Sequence, residues 1–184
     1  MGGDILPKIT LSMIVKLPRN GLASVLNEHA DRHPDKAAFR YFSNLADDPV
    51  DLSYGHLNRQ AMAVAAALKK AAKPADRAIL IYPAGLDFIV AFMGCLFSGV
   101  IAIPVCAPRA GQSKINFKSI VRDCTPTVIL TTRALRAQLE ESFAAEDDLP
   151  QMTWVCSDEV DADSAADWDP ETVERSDIAF LQYT

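Results

Sequence analysis

Glycine is scarce where phosphate chemistry would need it. The chain has 184 residues and eight glycines, and none of these builds a GxGxxG turn or a GxxxxGK[ST] loop. Both the dinucleotide fingerprint and the P-loop are therefore absent. GxSxG is missing as well, which weighs against an α/β-hydrolase. Histidine is rare, with three in the chain. His29 and His33 have the i, i+4 spacing of a metal pair, but no third ligand stands nearby, and they read as a pair at a helix end. The four cysteines, at 95, 106, 124 and 156, show no CxxC spacing. They read as reduced core or near-core thiols of a cytoplasmic protein. Basic charge is short: the net charge is −6 and the pI is about 5.0. That opposes a nucleic-acid-binding face. No apolar run is long enough for the bilayer. The best, Phe88 to Ile103, has 16 residues, includes Ser98 and Gly99, and ends at Pro104; a span needs about 20. The first sixteen residues lack the pattern of a secretory signal.

What is present is globular, with 49% hydrophobic and 23% charged residues, in the range of a packed domain. Residues 1–19 read as an extended arm and 20–184 as one α/β unit. Leu22, Val25, Leu26, His29 and Ala30 share a helix face that Pro34 terminates. Ala37–Phe42 and Val50–Leu52 read as a hairpin about a turn at 44–49. Ser53 is positioned to cap a helix whose buried face is Leu57, Ala61, Val64, Ala65 and Leu68. Lys69, Lys70 and Lys73 read as the solvated end of that helix, where cations suit its dipole.

Strand Arg77–Tyr82, a turn at Pro83-Ala84-Gly85, a helix charged at its start by Asp87, Gly99 past its end, and strand Val100–Val105 make a βαβ unit. The alternation continues. Ser113 is expected to cap a helix bearing Phe117, Ile120, Val121 and Cys124. Strand Thr127–Thr131 follows, then Thr132 capping a helix with Leu135, Leu139 and Phe143, then strand Met152–Cys156. These strands are apolar throughout, as strands covered on both faces are. The expected fold is a layered α/β domain with a mostly parallel sheet flanked by helices. Residues 157–176 carry eight carboxylates among Pro and Ala and read as a solvated connection. Asp177 to Thr184 reads as a buried strand, with Phe180 and Leu181 in the core.

Several stretches resemble the fatty acyl-AMP ligases of the acyl-adenylate-forming superfamily. His33-Pro34-Asp35-Lys36-Ala37-Ala38-Phe39 looks like their opening. Leu52-Ser53-Tyr54 with Leu57, Asp76-Arg77 with Tyr82-Pro83-Ala84-Gly85-Leu86-Asp87-Phe88, and Gly94-Cys95-Leu96 with Gly99-Val100 and Ile103-Pro104 follow in order. Thr131-Thr132 and Leu181-Gln182-Tyr183-Thr184 complete the match. Around Val105 to Pro108 the sequence keeps Pro108 but lacks the aromatic residue and second proline of that branch.

The resemblance implies the first part of the large N-terminal domain of an adenylate-forming enzyme, cut before its phosphate loop and inactive alone. For the intact protein it implies ATP and Mg2+, with a fatty carboxylate attacking the α-phosphate. The acyl group would then pass to an acyl carrier protein or polyketide synthase. It places one site residue in this chain, Thr184, as nucleotide-binding. An acyl-CoA synthetase and a non-catalytic α/β binding module are the alternatives.

Overall fold

Four short runs at 77–81, 101–105, 128–131 and 153–156 have no polar face to show to water, so they form the middle of the molecule with helices on either side. A computed structural model describes residues 21–43, 48–107, 112–144, 149–169, 173–174 and 176–183. The elements are α1 (Gly21–Arg32), β1 (Ala37–Tyr41), β2 (Val50–Ser53), α2 (Tyr54–Ala71), β3 (Arg77–Ile81), α3 (Leu86–Ser98), β4 (Ile101–Val105), α4 (Gln112–Cys124), β5 (Val128–Thr131), α5 (Arg133–Ala144) and β6 (Thr153–Cys156). Two 3-10 turns, Ser157–Glu159 and Ala162–Asp167, follow. The arm expected over 1–19 lies outside the described residues.

β3 to β6 form one sheet in the order β4-β3-β5-β6, parallel at every pairing. This is the expected fold class. Alternate residues of each strand serve opposite layers. Ala78, Leu80, Ala102, Val128 and Leu130 pack with α2 and α3. Ile79, Ile81, Ile103 and Ile129 pack with Phe117, Val121 and Cys124 of α4 and Leu139 of α5. Each Val, Leu or Ile side chain among these stabilises the fold by about 1.5–3 kcal/mol when fully buried. β1 and β2 form a separate antiparallel hairpin, across which Arg40 grips the Asp51 carboxylate at 2.6 and 2.7 Å.

Several helix ends match their sequence signals. Ser53 Oγ accepts from the His56 amide at 3.3 Å at the start of α2, and Gly99 takes φ 70° at the end of α3. Thr132 Oγ1 accepts from the Leu135 amide at 3.4 Å at the start of α5. α4 differs: it begins at Gln112, so Ser113 lies inside its first turn rather than before it.

Four further expectations are corrected. The acidic stretch after β6 is not simply a solvated connection, because its second 3-10 turn packs along α2. Trp168 sets its ring edge-on to Phe97 and donates to the Phe97 carbonyl at 3.3 Å. Lys69 is part of the same strap, donating to the Asp169 carbonyl at 2.6 Å, so it is no mere solvated helix end. Asp177 to Tyr183 does run parallel to β4, but through a single bridge, Phe180 to Ala102. The Ala102 amide donates to Ala179 and the Leu181 amide to Ala102. Two residues on, the same side of β4 presents Pro104, which has no N–H to extend the ladder. Phe180 is 47% exposed rather than core, while Leu181 is half-buried against the α4/α5 layer. Finally, Cys95, Cys124 and Cys156 are buried, but Cys106 is exposed.

Candidate functional site

In an open parallel sheet the strand ends that face the following helices form the ligand edge. Here that edge comprises Tyr82 after β3, Cys106 after β4, Thr132 after β5 and Ser157 after β6. A groove of about 730 Å3 opens there. Phe88, Ile89 and Phe92 of α3 form one wall and Asn116, Phe117 and Ile120 of α4 the other. Pro104, Val105 and Cys106 lie between them, and Phe180, Gln182 and Tyr183 run alongside. The lining is mostly apolar and aromatic because α3 and α4 turn large side chains inward where the strands end.

The polar groups near the edge are held by one another. Tyr183 donates its phenol proton to Asp123 at 2.5 Å, which docks the last described residue onto the end of α4. That hydrogen bond, helped by burial, pushes the Tyr183 phenol up to about 12. Tyr82 donates to Ser157 Oγ at 2.9 Å, and Ser157 lies 3.5 Å from the Thr131 carbonyl. Thr131 in turn donates to the Ile81 carbonyl at 2.7 Å. Burial raises the Tyr82 phenol well above its ordinary value. Asp87 is also raised, first by desolvation and then by the nearby Asp158 carboxylate. Asp158 itself accepts from the Arg133 amide at 2.8 Å, at the start of α5.

Thr184, the expected nucleotide-binding residue, lies outside the described residues. The segment before it is delivered to the carboxyl edge, with Gln182 and Tyr183 on the groove. His29 stacks on Tyr54 at 4.9 Å between ring centroids. Among the described residues no three His, Cys, Asp or Glu side chains converge on one point. The start of α3 carries Asp87, which opposes an anion. The described residues therefore do not by themselves fit a metal–nucleotide centre. Sequence reasoning missed the pairing of Tyr82 with Ser157. Tyr82 stood in a stretch singled out by resemblance, whereas Ser157 carried no signal at all.

Residues 26–184 match the family model described as AMP-binding enzyme. The chain belongs to the AMP-binding enzyme family. Within it, the chain is 33% identical over 166 residues to the long-chain-fatty-acid–AMP ligase FadD23 of Mycobacterium tuberculosis (strain CDC 1551 / Oshkosh), covering 89% of this chain and 28% of FadD23. It is 31% identical over 167 residues to the medium-chain-fatty-acid–[acyl-carrier-protein] ligase JamA of Moorena producens (strain JHB), covering 89% of this chain and 28% of JamA. A solved fatty acyl-adenylate ligase from L. pneumophila, in complex with acyl adenylate and pyrophosphate, shares the fold at TM-score 0.76. That match has 28% identity over 88% of this chain and 27% of the other. The chain thus spans about 28% of the length of these curated relatives. Among the described residues of this family member, no helix is long and apolar enough to cross a membrane.

Proposed function

We propose that this chain is the opening portion of a fatty acyl-AMP ligase. The intact protein activates a fatty acid with ATP, in the presence of Mg2+, to the acyl adenylate. It then hands the acyl group to an acyl carrier protein or polyketide synthase in the cytoplasm. The observation that carries this reading is the apolar groove at the carboxyl edge of the sheet, in a chain whose relatives are named as fatty-acid ligases. Aromatic and aliphatic walls suit an acyl chain, since transfer of each methylene out of water is favourable by about 0.8 kcal/mol. Thr184 is the residue proposed to contact nucleotide phosphate, at the end of the segment that Tyr183 anchors.

Product analysis of the full-length protein tests the proposal. Incubated with ATP, Mg2+, a fatty acid and coenzyme A, it is expected to accumulate acyl-AMP and to form little acyl-CoA by mass spectrometry. Added holo-carrier protein is expected to become acylated. Abundant acyl-CoA would assign the protein to the synthetases. Absence of any adenylate, together with no ATP–pyrophosphate exchange, would leave a non-catalytic binding module. The 184-residue chain alone is expected to show exchange at background.

A further inference from the structure

α3 starts without a side-chain cap, Gly85 standing at its N-cap position. Its first turn therefore depends on tertiary contacts for its position. One of these comes from Tyr82, just beyond β3. The Tyr82 phenol reaches across the end of β5 to Ser157, which follows β6. Its ring meets Phe88, on the first turn of α3, edge-on at 6.4 Å. From Phe88 the contacts continue to Phe92 at 5.9 Å and from Phe92 to Phe180 at 5.7 Å. Phe88, Phe92 and Phe180 all line the groove. These groove-lining aromatics thus form one row of rings, held at the Tyr82 end by the hydrogen bond to Ser157 and at the Phe180 end by the backbone bridge to Ala102 of β4.

We propose that Tyr82, anchored by Ser157, is a positioning residue that sets this aromatic wall and with it the length of acyl chain the groove admits. The proposal rests on the ligase reading above for the identity of the ligand. Tyr82 acts through Phe88 rather than by touching substrate. Each ring of the row touches the next, so a shift of the Tyr82 ring passes to Phe88 and from there to the groove that Phe88, Phe92 and Phe180 line. Freed from Ser157, Tyr82 and Phe88 settle differently, and the space between Phe88 and Phe180 changes.

Tyr82→Phe and Ser157→Ala both remove the anchor while keeping the ring row. Trp168→Phe is the control, since it removes a hydrogen bond at the other end of α3 and leaves the row untouched. In the full-length protein, ATP–pyrophosphate exchange is measured with octanoate through palmitate. Both anchor variants are expected to shift the ratio of kcat/KM between short and long acids by about threefold or more, in the same direction, through KM. In the 184-residue chain, the amides of Leu86 to Ile89 are expected to exchange hydrogen about tenfold faster in both. Trp168→Phe is expected to do neither. An unchanged chain-length profile in an active enzyme overturns the proposal, as does an equal shift in Trp168→Phe. If the wild-type protein activates no fatty acid, the ligase reading falls instead. Amide exchange then decides the anchor by itself, and unaltered protection of Leu86 to Ile89 overturns it.

Discussion

The two faces of the same four-stranded sheet are filled by different means. On one face, α2 and α3 meet through small residues. Ala61 and Val64 oppose Gly94 so closely that a Cβ on Gly94 would lie 2.5 Å from Val64 Cγ1. The strap with Trp168 and Lys69 lies over this pair. On the other face, α4 brings Phe117, α5 brings Phe143 and β6 brings Trp154, whose rings pack at 5.0 and 5.8 Å. Where α4 and α3 pass the sheet's carboxyl edge, the groove of about 730 Å3 remains. Small residues allow backbones to approach and leave no room for a ligand. Large rings on elements held apart by their own bulk leave a cleft. The same sheet thus carries a rigid side and a receptive edge.

The largest test of this contrast removes bulk from the rigid side. Leu80 is 1% exposed and faces α2 and α3. Leu80→Ala is expected to lower stability by about 2–5 kcal/mol, read from the urea midpoint, because the tight layer has no slack with which to collapse. A loss as small as that of a surface site would show that this layer is not close-packed. The reverse change adds bulk. Gly94→Val forces a side chain against Val64 and the Ala61 carbonyl, and is expected to cost about 1–3 kcal/mol by overpacking. A neutral result would mean that α2 and α3 separate freely.

Phe180 sharpens the contrast from the receptive side. With 47% of its surface exposed, Phe180→Ala is expected to lower the chain's stability by only about 1 kcal/mol, roughly half the value for full burial. A loss as large as that of Leu80→Ala would put Phe180 back in the core.

The smallest effect concerns the Asp123–Tyr183 contact and depends on pH. The folded chain holds the Tyr183 proton more tightly than the unfolded chain, so the contact's contribution is intact below about pH 10, the ordinary tyrosine value. It is lost as pH rises toward about 12, the value in the folded chain. Tyr183→Phe is expected to flatten the alkaline decline of the urea midpoint and to lower its value at pH 7 by the same small amount. An equally steep decline in the variant would show that Tyr183 does not hold the segment to α4.

Resemblance of its motifs pointed to the family, and the sequence by itself determined the order of elements, the caps at Ser53, Thr132 and Gly99 and the doubly covered parallel sheet. Those features are written in periodicities and end signals that span a few residues, and local stereochemistry reads them without knowing the rest of the chain. Only the tertiary structure decided that the acidic stretch is a strap, because the acceptors for Lys69 and Trp168 are backbone carbonyls about which side-chain chemistry is silent. It also decided that Phe180 is half-exposed. The apolar run around Phe180 reads the same in a core or at an exposed edge, and here a single bridge to Ala102 holds it with the Phe180 ring on the groove. The Tyr82–Ser157 anchor joins residues 75 apart in sequence. A phenol and a hydroxyl carry no mark of each other until the strand order places the ends of β3 and β6 on one edge, because a hydrogen bond depends on distance in space and not on separation along the chain.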